Sequence, residues 1–282
     1  MENSAHNMDY SDAFKDYLDL AEQCGQSYVG HGNPNANILI VANEPGTVDK
    51  FIIENDLNRN LTLWRNNVDI HQSIDSLPEM FFEDHCLDWE KFNPLWPFKG
   101  QKFSQIKTRN VSKDKVEIVN TKSHPTSRSW LQYQKLVDMI YDINQECNRG
   151  KDEPIDFFKQ AFITDFSAVY GLKSSDISIV AREKSITDRL PLFSSDFIRH
   201  FPIIIVASGH YVRDFKRLND LTKVFSDFCH VDKVKDELGW RNIHYNKDHN
   251  RILVHAKHFA SAIKDSYLSQ IAKLCSEVLK KI

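Results

Sequence analysis

The sequence predicts an α/β protein with three layers, α/β/α, around a mostly parallel, four-stranded central sheet. Three observations predict it. Short aliphatic runs recur along the chain, at Ile38–Val41, Ala161–Thr164 and Pro202–Ala207. Each is long enough for a strand and has no polar alternation, as strands covered on both faces require. Between them lie segments with apolar residues at helical spacing, and such alternation builds parallel sheets with helices on both faces.

The elements follow in chain order. Tyr10, Phe14, Tyr17, Ala21 and Cys24 fall on one helical face, predicting a helix over 9–24 capped by Ser11 or Asp12. Ile38 to Val41 is the first strand. Pro45 and Gly46 end it, because proline lacks a ladder donor and glycine accepts unusual dihedrals. Thr47 to Glu54 can open a helix. Residues 55–125 read as an insertion rich in aromatic and then basic residues. Phe81, Phe82, Trp89, Phe92, Trp96 and Phe98 suit either a satellite core or a base-stacking surface, and the core reading is favoured. Lys99 to Arg128 is the most basic stretch, readable as a solvated loop or as a phosphate-contacting flap. Trp130, Tyr133, Leu136, Val137, Ile140 and Ile143 mark a core helix over 127–143. A short helix is expected over 155–160, before the second strand. After it come a loop to Asp176, a helix within 177–190 and a short helix capped by Ser194. The third strand closes at Ser208-Gly209-His210, and helical turns are expected over 211–229. Asn242–Tyr245 and Arg251–Val254 read as a fourth strand with a flanking partner. A closing helix is expected over 261–281. With no repeat or linker, the chain reads as a single domain over 1–282 with a core of about 28–265.

Composition bounds the function. The chain has 282 residues, of which 41% are hydrophobic, enough for a sizeable core. Lys+Arg 36 against Asp+Glu 39 gives a net charge of −3, so any nucleic-acid contact must use a local patch. Five scattered cysteines with no C-x-x-C pair suggest reduced thiols rather than a disulfide framework or a zinc ribbon. The polar N-terminus and the shortness of the longest apolar run, Ile203–Ala207, argue against a signal core or a membrane span. A cytoplasmic monomer with no metal and no cofactor is expected.

Parallel strands would place three polar tips on one rim: Asn43 with Glu44, Asp165, and His255 with His258. Open α/β sheets bind their ligands at the carboxyl ends of the strands. Singly, each has a plain structural role. Glu44 can cap a helix, Asp165 can bond backbone amides, the two histidines can pair by chance, and Phe166 or Tyr170 can be packing residues.

Gly30 to Gly46, reading GHGNPNANILIVANEPG, resembles the first motif of the uracil-DNA glycosylase superfamily. It is closest to the branch with an iron–sulfur cluster, which has a G-x-G-N-P-x-A lead-in, an aliphatic strand and G-E-A-P-G. Ala161–Asp165 resembles that family's strand ending in asparagine, Pro202–Gly209 its late strand, and Leu253–Ala260 its second catalytic motif of the H-P-S-P-L-S type. Order and spacing fit over about 28–265.

The resemblance implies a glycosylase-like fold and a DNA base N-glycosylase, which flips a nucleotide out of the stack and hydrolyses its glycosidic bond. It implies Glu44 and His255 as catalytic residues. Glu44 would position water and stabilise a cation-like sugar. His255 would donate a hydrogen bond to the leaving base. It implies Asn43, Asp165 and Phe166 at the base. It implies Gly46, Lys257, His258 and Phe259 at the DNA, with Phe259 as the wedge filling the gap in the stack. DNA containing the target base is then the partner. The pattern departs from the family at Ala42, for the first glycine, and at Ala256 and Lys257, for proline and serine. Cys24 lies near a cluster cysteine but its partner is missing, so no iron–sulfur cluster is expected. Asp165 in place of asparagine suits a base that presents an amine, since an ionised carboxylate only accepts. Two alternatives stand beside the enzyme. One is a glycosylase-like module that binds nucleotide or nucleic acid without hydrolysis. The other is an unrelated nucleotide hydrolase, weakened by the absence of a G-x-x-x-x-G-K-[ST] loop and of a metal-ligand cluster.

Overall fold

The computed structural model describes residues 8–47, 50–80, 82–83, 86–87, 89–100, 107–112, 115–119, 128–142, 153–171, 173–212, 221–261 and 263–282. Strand β2 (Ile38–Ala42) is its centre. Ile38, Leu39, Ile40 and Val41 are fully buried. At roughly 1.5–3 kcal/mol per buried aliphatic side chain, that run belongs inside a sheet covered on both faces. β7 (Ala161–Asp165) and β8 (Ile203–Val206) flank β2 in parallel, and β11 (Ile252–Ala256) runs parallel to β8.

These four strands are the parallel centre of a larger, mixed sheet, which corrects the four-stranded expectation. With β1 (His31–Gly32), β10 (Gly239–Asn246) and β9 (Phe228–Asp236) added, the sheet has seven strands in the order β1-β7-β2-β8-β11-β10-β9. β1 lies antiparallel on one edge, and β10 and β9 form an antiparallel pair on the other. β9 reads FCHVDKVKD, polar and lysine-bearing, as edge strands tend to be. It lacks the continuous apolar run that marks the central strands. It also takes up the end of the segment over 211–229 expected to be helical, where the described helix is only α7 (Leu221–Val224).

The helices fall into two packed groups. α1 (Asp12–Gln23) is capped by Ser11, whose Oγ accepts from the Phe14 amide at 3.2 Å. It packs on α3 (Asn60–Asp69), α5 (Ile179–Phe193) and α6 (Asp196–His200). Phe14 and Tyr17 meet Phe197 with centroids 4.8 and 4.7 Å apart, and Phe14 reaches Phe162 of β7 at 6.1 Å. α6 is capped by Ser195 rather than Ser194. The second group is α4 (Arg128–Tyr141) and α8 (Asp265–Leu279), joined where Ser276 Oγ donates to the Ile140 carbonyl at 2.8 Å. α8 also contacts β11. The stretch expected as a short helix before β7 is a single 3-10 turn, Phe157–Lys159.

Within the segment 47–54 expected to be helical, α2 (Lys50–Ile52) runs into a π turn at Ile53–Leu57, where the insertion begins. Two small ladders follow, β3 (Phe82–Glu83) with β4 (Cys86–Leu87), and β5 (Lys107–Ser112) with β6 (Lys115–Val119). The side chains of Phe81, Phe82 and Trp89, and the basic ones from Lys102 to Arg128, lie outside the described residues. Phe92 and Trp96 are buried, and Trp96 Nε1 donates to the Ile155 carbonyl at 2.8 Å, as core residues do. Among the described residues no helix is long and apolar enough to cross a membrane.

Candidate functional site

Strand register sets the rim. Ala42 stands opposite Asp165, and Val41 opposite Val206, which in turn pairs with His255. Just past the strands, Ser167 N donates to Asn43 O at 2.9 Å, Ala207 N to Val41 O at 2.9 Å and Gly209 N to Ala256 O at 3.0 Å. The segments after β2, β7, β8 and β11 are therefore stitched at one level. The parallel arrangement brings all three polar tips to the same rim.

Asn43 and Glu44 sit at its centre. Ser174 donates its hydroxyl to Glu44 Oε1. An Arg182 Nη2 donor holds the Ser174 carbonyl, and the same guanidinium lies 4.6 Å over the Tyr211 ring. The loop bearing Ser174 is brought in by Gly171 N, which donates to Pro45 O at 3.3 Å. Burial and the facing Glu44 carboxylate push the Tyr211 phenol far up, so it stays protonated. Four buried polar atoms here have no hydrogen-bond partner among the described residues: Asn43 Oδ1, Glu44 Oε2, Ser208 Oγ and Arg182 Nε. An orphaned buried polar group costs about 1–3 kcal/mol. Four of them, on the segments after β2 and β8 and on α5, mark this rim as a place where a ligand or water could complete the set.

Asp165 Oδ2 accepts from Tyr28 OH at 3.0 Å. Burial raises this carboxyl to about 6, against the Tyr28 hydrogen bond and the Arg189 guanidinium, while Glu44 adds to the rise. Arg189, fully buried, donates to the carbonyls of Asp165 at 3.2 Å and Tyr28 at 2.6 Å, to Thr164 Oγ1 at 3.1 Å and to Gln26 Oε1 at 3.3 Å.

The two histidines have different environments. His255 is 2% exposed, its Nε2 lies 2.7 Å from the Gly209 carbonyl, and Trp240 meets its ring edge-on at 5.0 Å. His258 is half-buried on the rim. Burial lowers its imidazole, and the Glu44 carboxylate opposes that shift. The Glu44 charge thus acts on His258, on the same rim. Gly209 adopts φ 58 and passes so near the His258 loop that a Cβ there would meet His258 N at 3.2 Å. Only a glycine fits that turn without strain.

Three expected contact residues are otherwise engaged. Phe259 is fully buried, 5.4 Å from Tyr133, so it is a core residue and not a wedge. Phe166 is fully buried between Phe193 and Phe225, at 5.2 and 6.4 Å, so it offers no stacking face. Tyr170, on the same loop, is 44% exposed. Lys257 Nζ donates to the Leu238 carbonyl at 3.0 Å and covers Gly239, which ties its charge to the β9–β10 turn. Gly46 is exposed with open space around its Cα. Cys24 is half-buried and free, and no group of three His, Cys, Asp or Glu among the described residues could hold a metal.

Ser174, Arg182, Ser208 and Tyr211 went unnoticed in the sequence as site residues. Their one signal was Ser208, at the close of an aliphatic strand. A shallow pocket beside Arg199, Asp227 and Arg251 lies at the amino ends of β8 and β11, away from this rim. Its arginines are committed to Asp227, at 3.4 and 2.9 Å. Comparison with family models, with curated proteins and with solved structures finds no match.

Proposed function

We propose that the chain is a DNA base N-glycosylase with a three-layer, uracil-DNA-glycosylase-like arrangement, acting at the rim around Glu44. The observation that carries this is the meeting of Asn43, Glu44, Asp165 and His258 on one sheet rim, beside four buried polar atoms with no hydrogen bond among the described residues. Glycosidic hydrolysis needs a carboxylate to position water and stabilise a cation-like sugar. It also needs a donor at the departing base. Glu44 has one oxygen held by Ser174, and its other oxygen has no hydrogen bond of normal geometry among the described residues. His258 supplies the donor in place of His255, which is spent on Gly209. Asn43 and Asp165 read the base edge, and the exposed Tyr170 replaces Phe166 as the ring on which a base stacks. Gly46 leaves room for a phosphate to approach the turn. The partner is DNA, and the protein works as a monomer in the cytoplasm.

Strand cleavage after alkali, on labelled oligonucleotides carrying a panel of normal and modified bases, tests the proposal. Cleavage of one substrate that is lost in Glu44→Gln and His258→Ala supports it. No cleavage of any substrate by the folded protein overturns it. A second reading, binding without hydrolysis, is favoured by one observation: Ser174, Arg182 and Tyr211 already crowd the Glu44 carboxylate. Salt-sensitive oligonucleotide binding without cleavage would select it.

A further inference from the structure

Past the ends of β8 and β11 the rim carries a pair of rings that the proposed reaction does not use. His210 follows Gly209, whose amide donates to the Ala256 carbonyl at 3.0 Å, so it stands beside the end of β11. There it stacks on Trp240, at the start of β10, with ring centroids 4.9 Å apart and an interplanar angle of 26°. Trp240 is itself anchored twice. His255 meets its ring edge-on at 5.0 Å, and its carbonyl accepts from Tyr267 OH of α8 at 2.7 Å. The indole is half-buried and the imidazole is exposed. One face of that imidazole lies against the indole, so the face turned to solvent is the other.

A flat, anchored ring with one free face is what an unpaired base stacks on, and any base serves because each has a π face. A base inside a duplex already has neighbours on both faces, so the occupant is single-stranded. Position agrees with this. From β2 the sheet runs β2-β8-β11-β10, three steps of roughly 4.8 Å, which puts the ring pair roughly 14 Å from the Glu44 turn. That is about four nucleotides at the 3.4 Å rise of a stacked strand, and fewer in a stretched one. Lys235, directly across the ladder from Trp240, is exposed and stands on the same sheet face. Its neighbour Asp236 is engaged by Arg241 at 3.1 Å. In a chain of net charge −3, a cation placed locally in this way is what a phosphate backbone requires.

We infer that the His210–Trp240 stack is a platform for an unpaired base that flanks the target, a few nucleotides along the same DNA strand, with Lys235 against the backbone. The inference rests on the reading of the rim around Glu44 as a DNA site, and it names the substrate class of that site. The base adds a third member to the stack, in the order indole, imidazole, base. Stacking of this kind selects the form of the strand and not its sequence, since every unpaired base can stack and a paired one cannot. Single-stranded or locally opened DNA is therefore the substrate. A length requirement comes with it, because a strand too short to reach from Glu44 to His210 forgoes one of the two contacts.

Equilibrium binding of a fluorescein-labelled octathymidylate, beside an octamer of abasic residues, tests the platform without any cleavage. His210→Ala, at an exposed position, and Trp240→Ala should each weaken octathymidylate binding by about 5- to 150-fold, the effect of losing one stacked base. Neither should change binding of the abasic octamer. Trp240→Phe, which keeps a ring, should recover part of the loss. Lys235→Gln should lower the slope of log affinity against log salt by about 0.7, one phosphate contact on a single strand. Unchanged octathymidylate affinity in folded His210→Ala protein overturns the inference. So does an equal loss on both octamers, which marks a structural role, and so does tighter binding of a hairpin duplex than of the single strand. Octathymidylate binding that depends on His210, in a protein that cleaves no oligonucleotide, would strike the glycosylase reading and leave the platform standing.

Discussion

The charge on the Glu44 carboxylate, past the end of β2, opposes the lowering that burial imposes on the His258 imidazole, past the end of β11. If the two act on one reacting centre, as proposed, they should fail together. Glu44→Gln and His258→Ala should each lower single-turnover cleavage by on the order of 10²–10⁴-fold. The double variant should lose little more than the worse single one. His255→Ala should behave differently. It removes a buried ring bonded to Gly209, so it should lower the urea midpoint, and whatever cleavage it loses should return when folding is restored by lower temperature.

Phe259 and Phe166 test the distinction between core and contact. Both are fully buried in aromatic clusters. Each truncation to alanine should cost about 3–5 kcal/mol in chemical denaturation, as removal of a buried ring does. Tyr170→Ala, at a side chain 44% exposed, should leave stability within about 1 kcal/mol and act on nucleotide binding alone. A stable Phe259→Ala protein would contradict the placement of that ring.

How much of this was legible beforehand follows from the physics of each element. Ile38–Val41 declared itself because four aliphatic residues in a row have no other home than a strand covered on both faces. β9 did not, because an edge strand has one solvated face and carries lysines that a helix would also carry. α3 was hidden for a related reason. Of its residues Trp64 packs on Phe14, but Asn60 is buried by bonds to the backbone at Val29 and Gly30, which no periodicity announces. At the site, Glu44 and Asp165 were visible as polar residues ending apolar strands. Ser174 and Arg182 were not, since a loop bonded to Pro45 through Gly171 brings in Ser174, and Arg182 reaches the Ser174 carbonyl from α5.

Asp165 makes stability depend on pH in a definite direction. Its folded carboxyl titrates at about 6, above the ordinary value of 3.8, so between those values the folded state holds more protons than the unfolded one. Its contribution is therefore fully present below pH 3.8 and is lost as pH rises through 6. Two pH units correspond to on the order of 2–3 kcal/mol. Asp165→Asn cannot ionise. The stability difference between the two proteins should shift in favour of the variant between pH 4.5 and pH 7. Urea denaturation at several pH values reads this directly, and parallel curves for the two proteins would refute it.

Arg189 is a buried cation whose donors serve Gln26, Tyr28, Thr164 and Asp165 together. Substitution with methionine strands those acceptors and removes the positive charge nearest Asp165. A loss of about 3–5 kcal/mol is expected, the usual result of breaking a buried charged network. Arg189→Lys should recover little of it, because one ammonium cannot span carbonyls on two segments. Thermal melts of the two variants check both statements.

Gly32 and Gly46 lie near the two ends of the same motif and should respond oppositely to an added methyl group. Gly32 has φ 94, and a Cβ there would lie 2.2 Å from the Ala161 carbonyl oxygen, inside the β1–β7 pairing. Neither atom belongs to a flexible side chain, so the strands must part. Gly32→Ala should cost at least about 3 kcal/mol or prevent folding. At Gly46 a Cβ meets nothing within 4 Å. Gly46→Ala should leave the melting temperature nearly unchanged. If a ligand's phosphate approaches this turn, the same methyl group occupies the space it needs, and oligonucleotide affinity should fall while stability holds. Equal affinity in Gly46→Ala would remove Gly46 from the proposed binding surface, which would then rest on Asn43, Glu44, Asp165, Tyr170 and His258.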